Sequence, residues 1–118
     1  MLLASQVFAG LVALLHVYFL VLEMFLWTTP YAQKTFQRTA AQQEESKVLA
    51  GNQGLYNGFL VAGLVWSLAN GDLHVRIFFL ACVVVAGIYG GLTASKKILF
   101  AQAIPGAIGL AVTILANR

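Results

Sequence analysis

The sequence predicts an all-α fold, a four-transmembrane-helix antiparallel bundle with both termini on the non-cytoplasmic side, and three observations predict it. Of the 118 residues, 60% are hydrophobic and only 9% charged, far from the balance of a soluble domain. The apolar residues gather into four runs, Gln6 to Trp27, Val48 to Ala69, Leu73 to Ala94 and Ile98 to Ala116. Each reaches the roughly 20 residues that cross a hydrocarbon core of about 30 Å. Finally, every charge except Glu23 lies in or near a break between runs. The whole chain, residues 1–118, then reads as a single integral membrane domain in contact with the lipid bilayer.

The first run has no positively charged start and no small-residue cleavage site, so it reads as the first span and not as a signal peptide. Thr28-Thr29-Pro30 ends it, because the residue before a proline is pushed out of the helical region. A polar loop, 28–46, follows. In it Thr39 and Gln42 have the spacing of a capping box, and Glu44 and Glu45 favour a helix start, so the second helix is expected to begin near Ala40 and protrude. Asn70-Gly71-Asp72 signals a tight turn into the third span, and Ser95-Lys96-Lys97 joins the third to the fourth almost as tightly. Lys34, Arg38, Lys47, Lys96 and Lys97 fall on one side, against Arg76 and Arg118 on the other. The positive-inside rule makes the first side cytoplasmic. The location expected is the cell membrane, crossed several times, and the inner membrane if the source is bacterial.

The net charge of +3 belongs to these flanks, and no Lys/Arg cluster is interleaved with aromatics, so nucleic acid is not an expected partner. Cys82 is alone in an apolar run and reads as a small buried hydrophobe. His16 has no second histidine or cysteine at ligand spacing, so no metal is expected. No nucleotide motif calls for a cofactor.

Polar residues inside the spans are the candidate site, since ionisable groups at membrane depth are costly and usually face a partner or a wet cavity. His16 and Glu23 are seven apart and so share a helix face. Asn52, Gln53, Tyr56 and Asn57 form a polar arc on the second span, with Gly51, Gly54 and Gly58 expected on the opposite, packing arc. Gln102, Gly106, Gly109 and Thr113 form a stripe on the fourth, where Pro105 removes a backbone hydrogen bond near Gln102. Gly87, Gly90 and Gly91 offer a close-packing surface on the third. The glycine faces suit either internal packing or a homo-oligomer. Counted at about 1.5 Å per residue from the cytoplasmic end, Glu23 lies level with Asn52, Gln53, Tyr89 and Gln102, with Tyr56 and Asn57 a turn deeper and His16 deeper again. The outer half holds little polarity beyond Ser67 and Thr113. These depths predict a cavity open toward the cytoplasmic leaflet, floored by His16 and mouthed by Glu23. Trp27 and Trp66 read as interfacial belt residues, as do Tyr31 and Tyr89; Trp27 and Tyr89 also border that cavity.

The residues His16-Val-Tyr, Leu22-Glu23 and Trp27, the block Asn52-Gln53-Gly54-Leu55-Tyr56-Asn57-Gly58, and Gln102 with Pro105 resemble the pattern of the domain of unknown function 1304 family of small membrane proteins. The resemblance covers nearly the whole chain and is most specific in the Asn-Gln-Gly-x-Tyr-Asn block. It implies a four-span protein and supports His16, Glu23, Asn52, Gln53, Tyr56 and Asn57 as the shared set, but it implies no settled activity.

Two function classes fit these residues. One is an intramembrane enzyme acting on a small lipophilic molecule, with Glu23 as acid/base and His16 as its proton partner. Tyr56, Asn52, Gln53, Asn57 and Gln102 would orient a substrate oxygen. Such proton transfer needs no cofactor. The other is a proton-coupled exporter, similar to small multidrug resistance transporters in size and in its single glutamate on the first span. A structural or accessory protein is the third reading: there Glu23 snorkels or pairs with Lys47, and the amides only hold helices together.

Overall fold

A computed structural model describes residues 1–118 as five helices with no strand. They are α1 (Leu2–Met24), α2 (Pro30–Phe36), α3 (Ala40–Asn70), α4 (Leu73–Thr93) and α5 (Lys96–Ala116). Three of them, α1, α4 and α5, are long and apolar enough to cross a membrane. At 31 residues α3 is the longest, but the amides Asn52, Gln53 and Asn57 dilute the hydropathy of its apolar stretch and keep it out of that set.

The local signals account for the element boundaries, with two corrections. α1 stops at Met24, short of Trp27: the amide of Leu26 reaches back five residues to Val21 O at 3.1 Å, a widened last turn that releases the chain. The expected polar loop also holds a further helix, α2. Thr29 caps it through its side chain, Pro30 occupies its first turn where no N–H is needed, and Gln37 closes it in the left-handed conformation at φ 54°. α3 begins at Ala40 behind a reciprocal capping box. Gln42 N donates to Thr39 Oγ1 at 3.1 Å, and Thr39 N donates to Gln42 Oε1 at 2.9 Å. Gly71 makes the turn at φ 63°, and the Asp72 side chain caps α4 by accepting from the amides of His74 and Val75. Ser95 caps α5 in the same way through Lys97 N.

The chain forms two compact units, Met1–Leu15 with Leu60–Arg118, and His16–Phe59. The first has an apolar core drawn from Ala9, Val12 and Ala13 of α1, Leu64 of α3, and Leu80 and Val83 of α4, with Leu110 of α5 packed against it. Small residues set the closest approaches. A Cβ on Gly87 would lie 2.9 Å from Ala103 N, and one on Gly106 would lie 2.9 Å from a methyl of Val83, so α4 and α5 meet almost backbone to backbone. The α5 stripe read from the sequence faces inward: Gln102, Gly106, Gly109 and Thr113 are all buried. Ahead of Pro105, Leu99–Ala103 is wound as a π-helix, with Ile104 N bonding back to Leu99 O. A proline has no N–H for the carbonyl four residues earlier and its ring crowds that carbonyl, so a local π turn relieves the misfit.

One expectation is sharpened in this unit. Arg76, read as a charge near the break between two spans, is fully buried four residues past the Asp72 cap. Its Nε donates to Ser67 Oγ at 3.2 Å, Nη2 to Ser67 O at 3.1 Å and Nη1 to Ser5 Oγ at 3.0 Å, and Ser5 Oγ lies 2.6 Å from Thr113 Oγ1. This end of the unit is therefore tied through α1, α3, α4 and α5 by a polar network, where little polarity was expected.

In the second unit, α3 packs on the last turns of α1 through Gly54 and Gly58. A Cβ on Gly54 would overlap the Met24 side chain and lie 3.3 Å from Leu20 O, and one on Gly58 would lie 3.1 Å from Leu20 Cδ1. α2 is held by three contacts: Tyr31 and Tyr18 share a hydroxyl hydrogen bond of 2.5 Å, Phe36 sits 4.9 Å from Trp27 ring to ring, and Ala32 is buried.

Candidate functional site

The last turns of α1 and the middle of α3 bring Glu23 and Asn57 together: Asn57 Nδ2 donates to Glu23 Oε1 at 2.5 Å. Gly54 makes this possible, because its missing side chain lets the helices close until its Cβ position lies 3.2 Å from Glu23 Cβ. Asn57 and the packing glycines thus share the α1-facing side of α3, whereas the sequence placed them on opposite arcs. Asn57 is three residues beyond Gly54, which returns it to within about 60° on a helix, closer than an opposite-face reading allows. Both side chains are half-buried, and Glu23 Oε2 and Asn57 Oδ1 have no hydrogen-bond partner within the protein. Lys47 does not pair with Glu23; it is bonded at 2.5 Å to Glu44 on its own helix.

His16, two turns further along α1, is fully buried, with its ring edge-on to Phe19 at 5.5 Å. Asn52, Gln53 and Tyr56 have exposed side chains, and Tyr56 rests edge-on against Phe59. Trp27 is engaged in structure at the end of this unit. Its Nε1 donates to Ser46 Oγ at 3.0 Å, and its carbonyl accepts from Gln43 Nε2 at 2.8 Å. In the other unit Gln102 donates to Val83 O at 3.1 Å beside the π turn, and Tyr89 is exposed along an apolar groove of about 530 Å³ with Phe78, Cys82 and Val85.

Two polar groups escaped the sequence reading. Gln43 is fully buried with Oε1 unpaired, although it lies in the polar start of the second helix that was expected to protrude. The Ser5–Arg76–Ser67–Thr113 network had one usable signal: Arg76 follows a capping Asp72, so it belongs inside the first turn of a helix.

Helices able to cross a membrane and a carboxylate–amide pair at the end of one of them define an all-helical protein compatible with several membrane passages. Within that class the chain belongs to the family described as protein of unknown function DUF1304, which matches residues 10–114. It is also similar to the uncharacterized protein YpaA of Lactococcus lactis subsp. lactis (strain IL1403). The two are 32% identical over 109 residues, covering 89% of this chain and 87% of the relative. No solved structure matches it.

Proposed function

We propose that the chain is a four-span membrane protein, α3 being the fourth span, with both termini outside the cytoplasm. In this reading the Glu23–Asn57 centre binds a small lipophilic molecule and moves a proton on it, a reaction of isomerase or hydrolase type. The carrying observation is that a carboxylate within an apolar helix is held at one oxygen by a neutral amide, with no protein hydrogen bond at its other oxygen and no cation paired to it. A salt-bridged carboxylate is spent on structure. One that is positioned by an amide can still exchange a proton at its free oxygen. His16 is the proton partner further along α1, and Tyr56 with Asn52 and Gln53 supplies neutral polar groups for a substrate oxygen. Proton-coupled export is the second reading, favoured by the same open carboxylate.

The test is Glu23→Gln, which keeps shape and removes the acid. Site residues commonly trade stability for activity, so Glu23→Gln is expected to leave the melting temperature in detergent unchanged or raised. A sharp fall, matched in His16→Ala, would make the cluster structural and sink the proposal. Proton release on adding a lipophilic cation, lost in Glu23→Gln, would select export over catalysis.

A further inference from the structure

The centre also carries information about what it admits. Glu23 Oε2 and Asn57 Oδ1 are both acceptors and both lack a protein donor, while Asn57 Nδ2 spends one of its two hydrogens on Glu23 Oε1. Leu20, Met24 and Gly54, which make the close α1–α3 contact beside the pair, carry no polar side chain. The cations of this unit are placed elsewhere. Lys47 is bound to Glu44, and Lys34 and Arg38 are exposed on and just beyond α2, with no ion pair to Glu23. His16 lies seven residues away, about 10 Å along the axis.

We infer that the Glu23–Asn57 centre selects the head of an amphiphile that donates hydrogen bonds and bears no negative charge, an ammonium or a hydroxyl on an apolar chain. This rests on the reading of the pair as a binding site. A carboxylate or phosphate head would set negative charge beside the Glu23 carboxylate with no cation paired there to offset it, whereas an ammonium or hydroxyl donates to one or both of the free acceptor oxygens. The apolar stem would lie along the Leu20 and Met24 side of α1.

The whole chain is reconstituted in phosphatidylcholine vesicles, whose headgroup offers no hydrogen-bond donor. Radiolabelled dodecylamine, dodecanol and dodecanoate are then counted on protein-bearing against protein-free vesicles. In the wild type the amine and the alcohol bind above the protein-free level, and dodecanoate binds at least about tenfold more weakly than the amine, a difference of about 1.4 kcal/mol. Glu23→Gln, with helicity verified by circular dichroism, weakens the amine about tenfold, leaves the alcohol within a few fold and narrows the gap to dodecanoate. If dodecanoate binds the wild type as tightly as the amine, and Asn57→Leu abolishes both, the site stands and the charge selection is overturned. If no probe exceeds the protein-free level, or none responds to Glu23→Gln or Asn57→Leu, the binding-site reading itself falls.

Discussion

Replacing Arg76 separates two contributions that a buried arginine combines. Its guanidinium makes three hydrogen bonds, to Ser67 Oγ, Ser67 O and Ser5 Oγ, and no carboxylate lies within ion-pair distance. Each acceptor keeps another partner when the arginine is removed. Ser67 Oγ still donates to Leu64 O, Ser67 O still accepts from Asp72 N, and Ser5 Oγ still meets Thr113 Oγ1. Arg76→Met therefore orphans nothing. Three bonds at about 0.6 kcal/mol each in membrane proteins lose about 2 kcal/mol, while burying the charge costs several kcal/mol that methionine does not incur. Arg76→Met is thus expected to be neutral or stabilising. Arg76→Ala removes the same bonds and also leaves a cavity, which adds about 2–5 kcal/mol of destabilisation. Reversible unfolding in mixed detergent–SDS micelles, followed by circular dichroism, measures both. A gap of at least about 2 kcal/mol between the two variants is expected. If Arg76→Met is as damaging as Arg76→Ala, the hydrogen bonds outweigh desolvation and the reasoning fails; if both are silent, Arg76 is not buried.

Four further substitutions, at three glycines, test the backbone directly. Gly87→Ala sets a Cβ 2.9 Å from Ala103 N and is expected to destabilise by about 1–3 kcal/mol in the same assay. Gly51→Ala meets nothing within 4 Å and is expected to stabilise by up to about 1 kcal/mol through helix propensity, so equal effects at the two sites would refute the packing of α4 on α5. Gly71→Ala places a side chain at φ 63° and is expected to cost about 1–2 kcal/mol, whereas Gly71→Asn, which tolerates that conformation, should cost less. A Gly71→Ala variant as stable as the parent would mean the α3–α4 turn has another shape.

Much of the architecture was legible in the residues because its causes are local. The Thr39–Gln42 capping box and the turn at Asn70-Gly71-Asp72 each depend on atoms within a few residues. The inward stripe of α5 was legible for a related reason: Gln102, Gly106, Gly109 and Thr113 repeat at helical spacing, and small residues bury wherever two helices meet closely. The short α2 was not, since a seven-residue helix has little periodicity to detect and is held by Tyr18, Trp27 and its own cap.

The candidate site divides along the same line. His16 and Glu23 stand out in sequence because a polar group in an apolar run is conspicuous wherever it points. Which amide Glu23 meets depends on how α3 is rotated against α1, and that is set by Gly54 and Gly58 closing on Leu20 and Met24; it turns Asn57 toward the carboxylate and leaves Asn52, Gln53 and Tyr56 exposed. Arg76 makes the same point more sharply. By itself the sequence determined the four long helices, most of their ends and the rare polar residues within them, because propensity, capping and hydropathy are properties of short segments. Only the tertiary structure decided that Arg76 is buried among Ser5, Ser67 and Thr113 and that Asn57 faces Glu23, because those partners lie up to 108 residues apart and meet only when helix packing brings them together.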